Sequence, residues 1–264
     1  MITSRQNRRL KDIRRLRRSK GDRALLEGPH LVAEALASDL VLEEVLTAPG
    51  FFEREGAGRE LRDILAALPE PPVEVAPELL AELADADSPK GLLAVARLPR
   101  GGVESLPRPN ARAGGETYLY LDGLQDPGNL GAVARSAEAA GAAGLALSPG
   151  CVHPNHPRAL RGSAGSLLRL PAAVGVEPDG LDDHLAGRAR WLALVPRGGE
   201  VLWRAELSAP LVLAVGAEGP GLSDALLHRC HLRATIPLAP GVESLNAAVA
   251  AALVLFEVRR REFA

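Results

Sequence analysis

Apolar and polar positions change rhythm along the chain. From Thr117 onward TYLYLD, LALS, LLRLPAAV, WLALVP, LVLAVG and ATIPL are short, nearly continuous apolar runs, each followed by a turn and mostly by a helical stretch. Such runs suit strands buried on both faces, which predicts an α/β fold: a parallel sheet with helices on each side. Earlier, RALLE, VLEEVLTA, VEVA and GLLAVARLP alternate with the helical HLVAEAL, ELRDILAAL and PELLAELAD, predicting a smaller α/β domain over residues 1–98. Residues 99–115, PRGGVESLPRPNARAGG, are rich in Gly and Pro and lack periodicity, so they read as a linker to a second domain at 116–264.

The last stretch, RATIPLAPGVESLNAAVAAALVLFEVRRR, reads as a strand end, a Pro240-Gly241 turn and a long helix over 244–258. That helix is apolar nearly all round, which suits a core or a subunit interface. Glu243, Ser244 and Asn246 crowd its expected first turn, where unpaired amides favour short polar side chains. Capping explains these residues as readily as chemistry does.

Composition adds bounds. With 264 residues, 47% hydrophobic and 24% charged, the chain can bury a sizeable core, and no apolar run is long enough to span a bilayer. A basic segment follows Met1 where a secretory signal would be apolar, and there are two cysteines, Cys151 and Cys230; both point to the cytoplasm. The net charge of −2 conceals a segregation, because the basic residues concentrate in the first two dozen positions and the acidic ones in the next seventy. Residues 4–18 read as a helix with Leu10, Ile13 and Leu16 as its apolar stripe, and Arg8, Arg9, Lys11, Arg14, Arg15, Arg17 and Arg18 elsewhere. Guanidinium forks suit phosphates, so this is a candidate polyanion-binding arm, with a solvated face as the alternative.

Three constellations carry candidate chemistry. In LDGLQDPGNLGAVARSAEAAG a strand end and loop lead into a helix from about Asn129; Arg135, six residues on, lies on another face unless Asn129 is the cap. In AVGAEGPGLSDALL, glycines permit close approach of a ligand, Glu218 stands among them and Ser223 is the expected N-cap. Ordinary turn chemistry accounts for both loops equally well. CVHPNHP and HRCH offer His and Cys at spacings that do not match zinc clusters, so no metal is expected.

Together, NLGAVAR (129–135), VGAEGPGL (215–222) and IPLAPGVESLNAAVA (236–250) resemble the three motifs of the SpoU-type RNA 2′-O-ribose methyltransferases of the knotted SPOUT superfamily. HPRALRGSAGSLLRLP (156–171) resembles the segment between the first two motifs, and residues 2–97 resemble a ribosomal-protein-L30e-like substrate-binding domain. The resemblance implies an active site of Asn129, Arg135, Glu218, Ser244 and Asn246, with S-adenosyl-L-methionine held by Gly216, Ile236, Leu238, Leu245 and Asn246. It also implies a C-terminal trefoil knot and a homodimer in which the motif-one arginine serves its partner's site, with Glu218 holding Arg135 or Asn129. The substrate would be structured RNA, ribosomal before transfer RNA because of the separate N-terminal domain, contacted by Arg8, Arg9, Lys11, Arg14, Arg15 and Arg18. A non-catalytic RNA-binding or ribosome-assembly protein of the same fold is the other reading. One departure is Pro240, where many members carry glycine.

Overall fold

The computed structural model describes residues 1–16, 21–53, 57–85, 90–109 and 116–263. Arg17 and Arg18, expected in the basic arm, lie outside the described residues. The chain forms two compact units, one of Met1–Pro99 with His153–Arg169 and the other of Arg100–Val152 with Leu170–Ala264.

In the first unit a four-stranded sheet is built from β1 (Arg23–Glu27), β2 (Leu42–Thr47), β3 (Val73–Glu74) and β4 (Leu92–Arg97), in the order β1-β4-β2-β3. β4 runs antiparallel to β1 and β2, and β3 adds parallel to β2. Helices α1 (Arg8–Leu16), α2 (Pro29–Ala37), α3 (Ala57–Ala66) and α4 (Pro77–Leu83) complete the N-terminal stretch. α1 starts later than expected. It starts where the Asn7 side chain accepts the Arg9 amide at 2.9 Å, as a cap does. Its Leu10 and Ile13 enter the same core as Leu25, Leu80 and Val95.

The second unit follows in chain order with β5 (Thr117–Asp122), α5 (Pro127–Ala139) and β6 (Gly144–Leu147). Two short helices, α6 (Pro157–Gly162) and α7 (Ser166–Arg169), then belong to the first unit. There Arg161 donates to the buried Glu27 carboxylate at 2.7 Å and to Asp85 at 3.3 Å, while Asn155 donates to the Leu98 and Gly21 carbonyls at 2.8 and 3.1 Å. LLRLPAAV is therefore not one strand. Its leucines turn helically from Ser166 to Arg169, where the Ser163 hydroxyl accepts the Leu167 amide, and only Ala172–Val174 extends as β7.

The second unit continues through α8 (Pro178–His184), β8 (Arg190–Leu194), β9 (Glu200–Val201), β10 (Leu211–Gly216), α9 (Asp224–Arg229), β11 (Leu232–Thr235) and α10 (Ala247–Glu262). Its seven strands take the order β7-β6-β5-β10-β8-β11-β9, every pairing parallel. Tyr118, Tyr120, Trp191 and Val212 on one face share a core with Leu181 and Leu185 of α8 and Leu226 of α9. The strands' alternate residues face the other way, where α5 and α10 pack on each other and on β6 and β10. Burial of Trp191 is coupled to hydrogen bonding: its indole donates to Asp182 at 2.5 Å, and Arg229, paired with that carboxylate, lies 5.8 Å over the ring.

α10 corrects one expectation. It begins at Ala247, not 244, because the Asn246 side chain accepts the amides of Ala248 at 3.0 Å and Val249 at 3.3 Å and so ends the loop. Part of its apolar surface is open in the single chain: Val249, Leu253 and Phe256 are exposed at 51%, 37% and 50%, a stripe at helical spacing. Its last turn is held by Glu257, whose carboxylate accepts from Arg260 and Arg261 at 2.7–3.0 Å, while Arg261 also donates to the Ala205 and Leu202 carbonyls at 2.6 and 3.1 Å. Those hydrogen bonds, from Arg260 and then Arg261, hold the Glu257 carboxyl down at about 2.

Candidate active site

In a parallel sheet, ligands bind beyond the carboxyl ends of the strands. Here β5 ends at Asp122, β8 at Leu194, β10 at Gly216 and β11 at Thr235. Beyond β10 the chain doubles back, the Gly221 amide donating to the Ala217 carbonyl at 3.0 Å, and the Asp122 carboxylate accepts the Ser223 amide at 2.9 Å. Ser223 stands at the start of α9 but makes no side-chain cap bond. The doubling leaves no room for a side chain at Gly216: a Cβ would lie 2.1 Å from the Gly221 carbonyl carbon and 2.3 Å from the Leu222 nitrogen.

The loop after β11 makes its own turn. The Val242 amide donates to the Ala239 carbonyl at 3.2 Å around Pro240 and Gly241, with Gly241 at φ 86°. Proline second and a positive-φ glycine third is the type II pattern, so the proline that departs from the motif fixes this turn.

Three polar side chains meet over these loops. Asn129 donates to Glu218 Oε1 at 2.5 Å, and the Asn246 amide donates to Asn129 Oδ1 at 2.9 Å and to Glu218 Oε1 at 3.1 Å. Asn129 belongs to the first turn of α5 and Asn246 caps α10, so Glu218 stands beside two helix N-termini, whose amide dipoles favour a carboxylate. Asn129 does not cap its helix. That role falls to Asp126, which accepts the Asn129 amide at 2.8 Å with Pro127 following it.

Beside this triangle opens a cavity of ≈ 510 Å³, walled by Gly216, Ile236, Leu238, Leu245 and Asn246, and by Glu218 and Ser244. All the residues assigned to the methyl donor therefore share one wall. Ser244 has no side-chain hydrogen-bond partner among the described residues. Arg135 is not brought in. It lies two turns along α5 from Asn129, rotated by about 120°, exposed and without an ion-pair partner among the described residues. Glu218 thus holds Asn129 and Asn246 in place of Arg135.

Sequence reading missed Asp126 and the Leu194–Pro196 part of the wall. Asp-Pro ahead of a helix is a cap signature and could have found the first; for the second only the strand end pointed. The candidate metal ligands stay apart: among the described residues no three His, Cys, Asp or Glu side chains converge. Burial pushes the Cys230 thiol up to about 11.

A model of the SpoU rRNA methylase family matches residues 116–256. The chain belongs to that family. A model of the MRM3-like substrate binding domain matches residues 6–94 of this SpoU chain. Among relatives, an uncharacterised tRNA/rRNA methyltransferase of Synechocystis is 37% identical over 100% of the chain and 94% of its own length. The Bacillus subtilis 23S rRNA (guanosine(2553)-2′-O)-methyltransferase RlmP is 29% identical over 98% of each. Among solved structures, the SpoU methyltransferase AviRb of Streptomyces viridochromogenes, in complex with AdoMet, superposes with a TM-score of 0.86 at 26% identity, covering 98% of this chain and 99% of that one. An RNA 2′-O ribose methyltransferase superposes at 0.81 with 32% identity over 100% and 99%.

The SpoU cavity has the character a nucleoside sulfonium needs. Its size lies in the range of small-molecule sites, at roughly 300–1,000 Å³. Ile236, Leu238 and Leu245 give apolar surface for a base, and the close-folded backbone after Gly216 gives polar groups at its edge.

Proposed function

We propose that this SpoU chain transfers a methyl group from S-adenosylmethionine to a ribose 2′-hydroxyl of structured RNA, ribosomal rather than transfer RNA, in the cytoplasm. The observation that carries it is the Asn129–Glu218–Asn246 triangle at the rim of the ≈ 510 Å³ cavity. Its members come from the first turn of α5, the loop after β10 and the N-cap of α10, so its formation ties these three together. The relatives that act on ribosomal RNA support the substrate class.

Bound in the cavity, the donor supplies an electrophilic methyl group. What the chain adds is position and charge. Ile236, Leu238, Leu245 and the backbone at Gly216 bind the donor; Asn246 and Ser244, which also line the cavity, orient the ribose. Glu218 accepts from both amides and so holds Asn129 and Asn246 together. The Arg135 guanidinium stabilises negative charge developing on the 2′-oxygen and engages the adjacent phosphate, while the hydroxyl proton passes to solvent and S-adenosylhomocysteine leaves.

Because Arg135 faces away from the triangle of its own chain, it serves a second copy. The exposed Val249, Leu253 and Phe256 stripe supports a homodimer through α10; sedimentation at micromolar concentration would show a monomer if this pairing is wrong. The trefoil knot belongs to the same reading, supported by β10 lying between β5 and β8 and by α10 packing on α5. Residues 1–98 would bind substrate and 116–264 carry the chemistry, with 99–115 joining them.

The test uses tritium-labelled methyl donor and unmodified 23S ribosomal RNA. After digestion the label should run with 2′-O-methylnucleosides. Label in base-methylated nucleosides alone, or none, would sink the proposal.

A further inference from the structure

The basic residues of α1 are not equivalent, and their partners divide them. Arg14 pairs with Glu82 at 3.1 Å and donates to the Arg5 carbonyl at the same distance; Arg5 also pairs with Glu82. Arg9 lies 3.6 Å from Glu44 and 3.8 Å from Glu70. Glu44 Oε1 is buried without a hydrogen bond, so Arg9 supplies the charge that compensates it. Burial raises the Glu44 carboxyl and Arg9, with Arg23, opposes that rise. These arginines answer carboxylates of their own unit.

Arg8, Lys11 and Arg15 differ. They recur at i, i+3 and i+7, one face of the helix, opposite to the buried Leu10 and Ile13. Arg8 and Arg15 are 96% and 81% exposed at the side chain and, among the described residues, pair only with Asp12, at 4.0 and 3.7 Å, a separation and exposure at which an ion pair contributes almost nothing. Lys11 is exposed and has no partner among the described residues. The stripe is about 10 Å long, carries a net charge of two and presents no exposed apolar side chain. Elsewhere in the unit, Arg161 and Arg169 are taken up by Glu27, Asp85 and Glu34.

We infer that Arg8, Lys11 and Arg15 are the α1 contacts to RNA, tracking successive phosphates of one strand, while Arg5, Arg9 and Arg14 hold the helix to its unit. This rests on the RNA reading above. A protein partner would want apolar anchors that this face lacks; a polyanion needs only the charge.

The experiment compares two triple variants of the full chain, Arg8→Gln/Lys11→Gln/Arg15→Gln and Arg5→Gln/Arg9→Gln/Arg14→Gln, binding 23S ribosomal RNA transcribed in vitro across a salt series. Each lost phosphate contact lowers the log–log slope by roughly 0.7 to 0.9. The first variant should therefore lose about 2 to 3 in slope and about 100-fold in affinity near 0.15 M salt, at unchanged melting temperature. The second should melt lower and keep most of its slope. An unchanged slope in the first variant, or equal slope losses in both, overturns the assignment. If the first variant misfolds, Lys11→Glu decides: Lys11 has no partner among the described residues, and an unchanged slope there overturns the assignment as well. Methyl incorporation by the wild-type protein on the same RNA is scored separately, so a failed transfer reading is distinguishable from a misassigned stripe.

Discussion

Asn246 does two jobs with two atoms, and substitutions separate them. Its oxygen caps α10 and its amide bridges Asn129 and Glu218. Asn246→Ala loses both: the cap is worth about 1 kcal/mol, and two exposed bridging hydrogen bonds add about 1 to 2 kcal/mol more. At about 2 to 4 °C per kcal/mol, the melting temperature should fall by about 5 to 10 °C. Asn246→Ser keeps a good cap and loses only the bridge, so most of the stability stays. Transfer, though, should fall by about 100-fold, as expected when reacting groups are displaced by about 1 Å. Asn246→Asp also keeps the cap but sets a second carboxylate against Glu218. At about 4 Å that repulsion amounts to about 1 kcal/mol in water and about 4 kcal/mol at an effective dielectric of 20. The introduced carboxyl should then take up a proton above the ordinary carboxylate range, and transfer by this variant should improve as pH falls toward 5. Thermal melting by circular dichroism, donor calorimetry and single-turnover transfer read the three effects. Wild-type transfer by Asn246→Ser would refute the bridge; wild-type melting of Asn246→Ala would refute the cap.

Arg135→Ala should abolish transfer while donor affinity by calorimetry stays within a few-fold, because Arg135 lies outside the donor cavity wall; equal loss of both would place it in the donor site. Gly216→Ala should lose donor binding, since its Cβ would lie 2.1 Å from Gly221 backbone and must displace the doubled loop; calorimetry with normal affinity would contradict this. Glu257→Gln should cost about 1 to 3 kcal/mol at pH 7 through its charged hydrogen bonds. The folded carboxyl titrates at about 2 against an ordinary 4.5, so its contribution is complete above about pH 4.5 and is lost as pH falls toward 2. The melting gap between variant and wild type should narrow over that interval, and a constant gap would argue against the ion pairs.

The strands were legible because β5, β8 and β10 are continuous apolar segments between turn residues, a pattern with one reading. Leu167, Leu168 and Leu170 fit both a strand and a helical turn, and Ser163, which decides for the turn, lies outside the run. The start of α10 was misplaced because Glu243 and Ser244 are plausible first-turn residues; only the bonds made by Asn246 fix the boundary. The triangle could not emerge from local pattern at all. Asn129 and Asn246 lie 117 residues apart, and Asn129 and Glu218 lie 89 apart, so only the co-ordered motifs linked them. Likewise, nothing near Arg9 or Arg14 in sequence announces Glu44 or Glu82, and the basic arm looked uniform.

The first unit borrows residues 153–169, and this has a consequence for synthesis on the ribosome. When Pro99 has been made, Glu27 already sits in a chain whose sheet can close, but Arg161, its partner, does not yet exist. Until then the carboxylate has the Asp85 amide, which donates to it at 2.6 Å, but not the Arg161 guanidinium. At roughly 5 to 20 residues per second the interval is roughly 3 to 12 s, during which β5, α5 and β6 are made. The N-terminal unit is thus begun first but completed only after the other unit has started, and a translational pause before Arg161 would prolong the period in which Glu27 lacks that guanidinium.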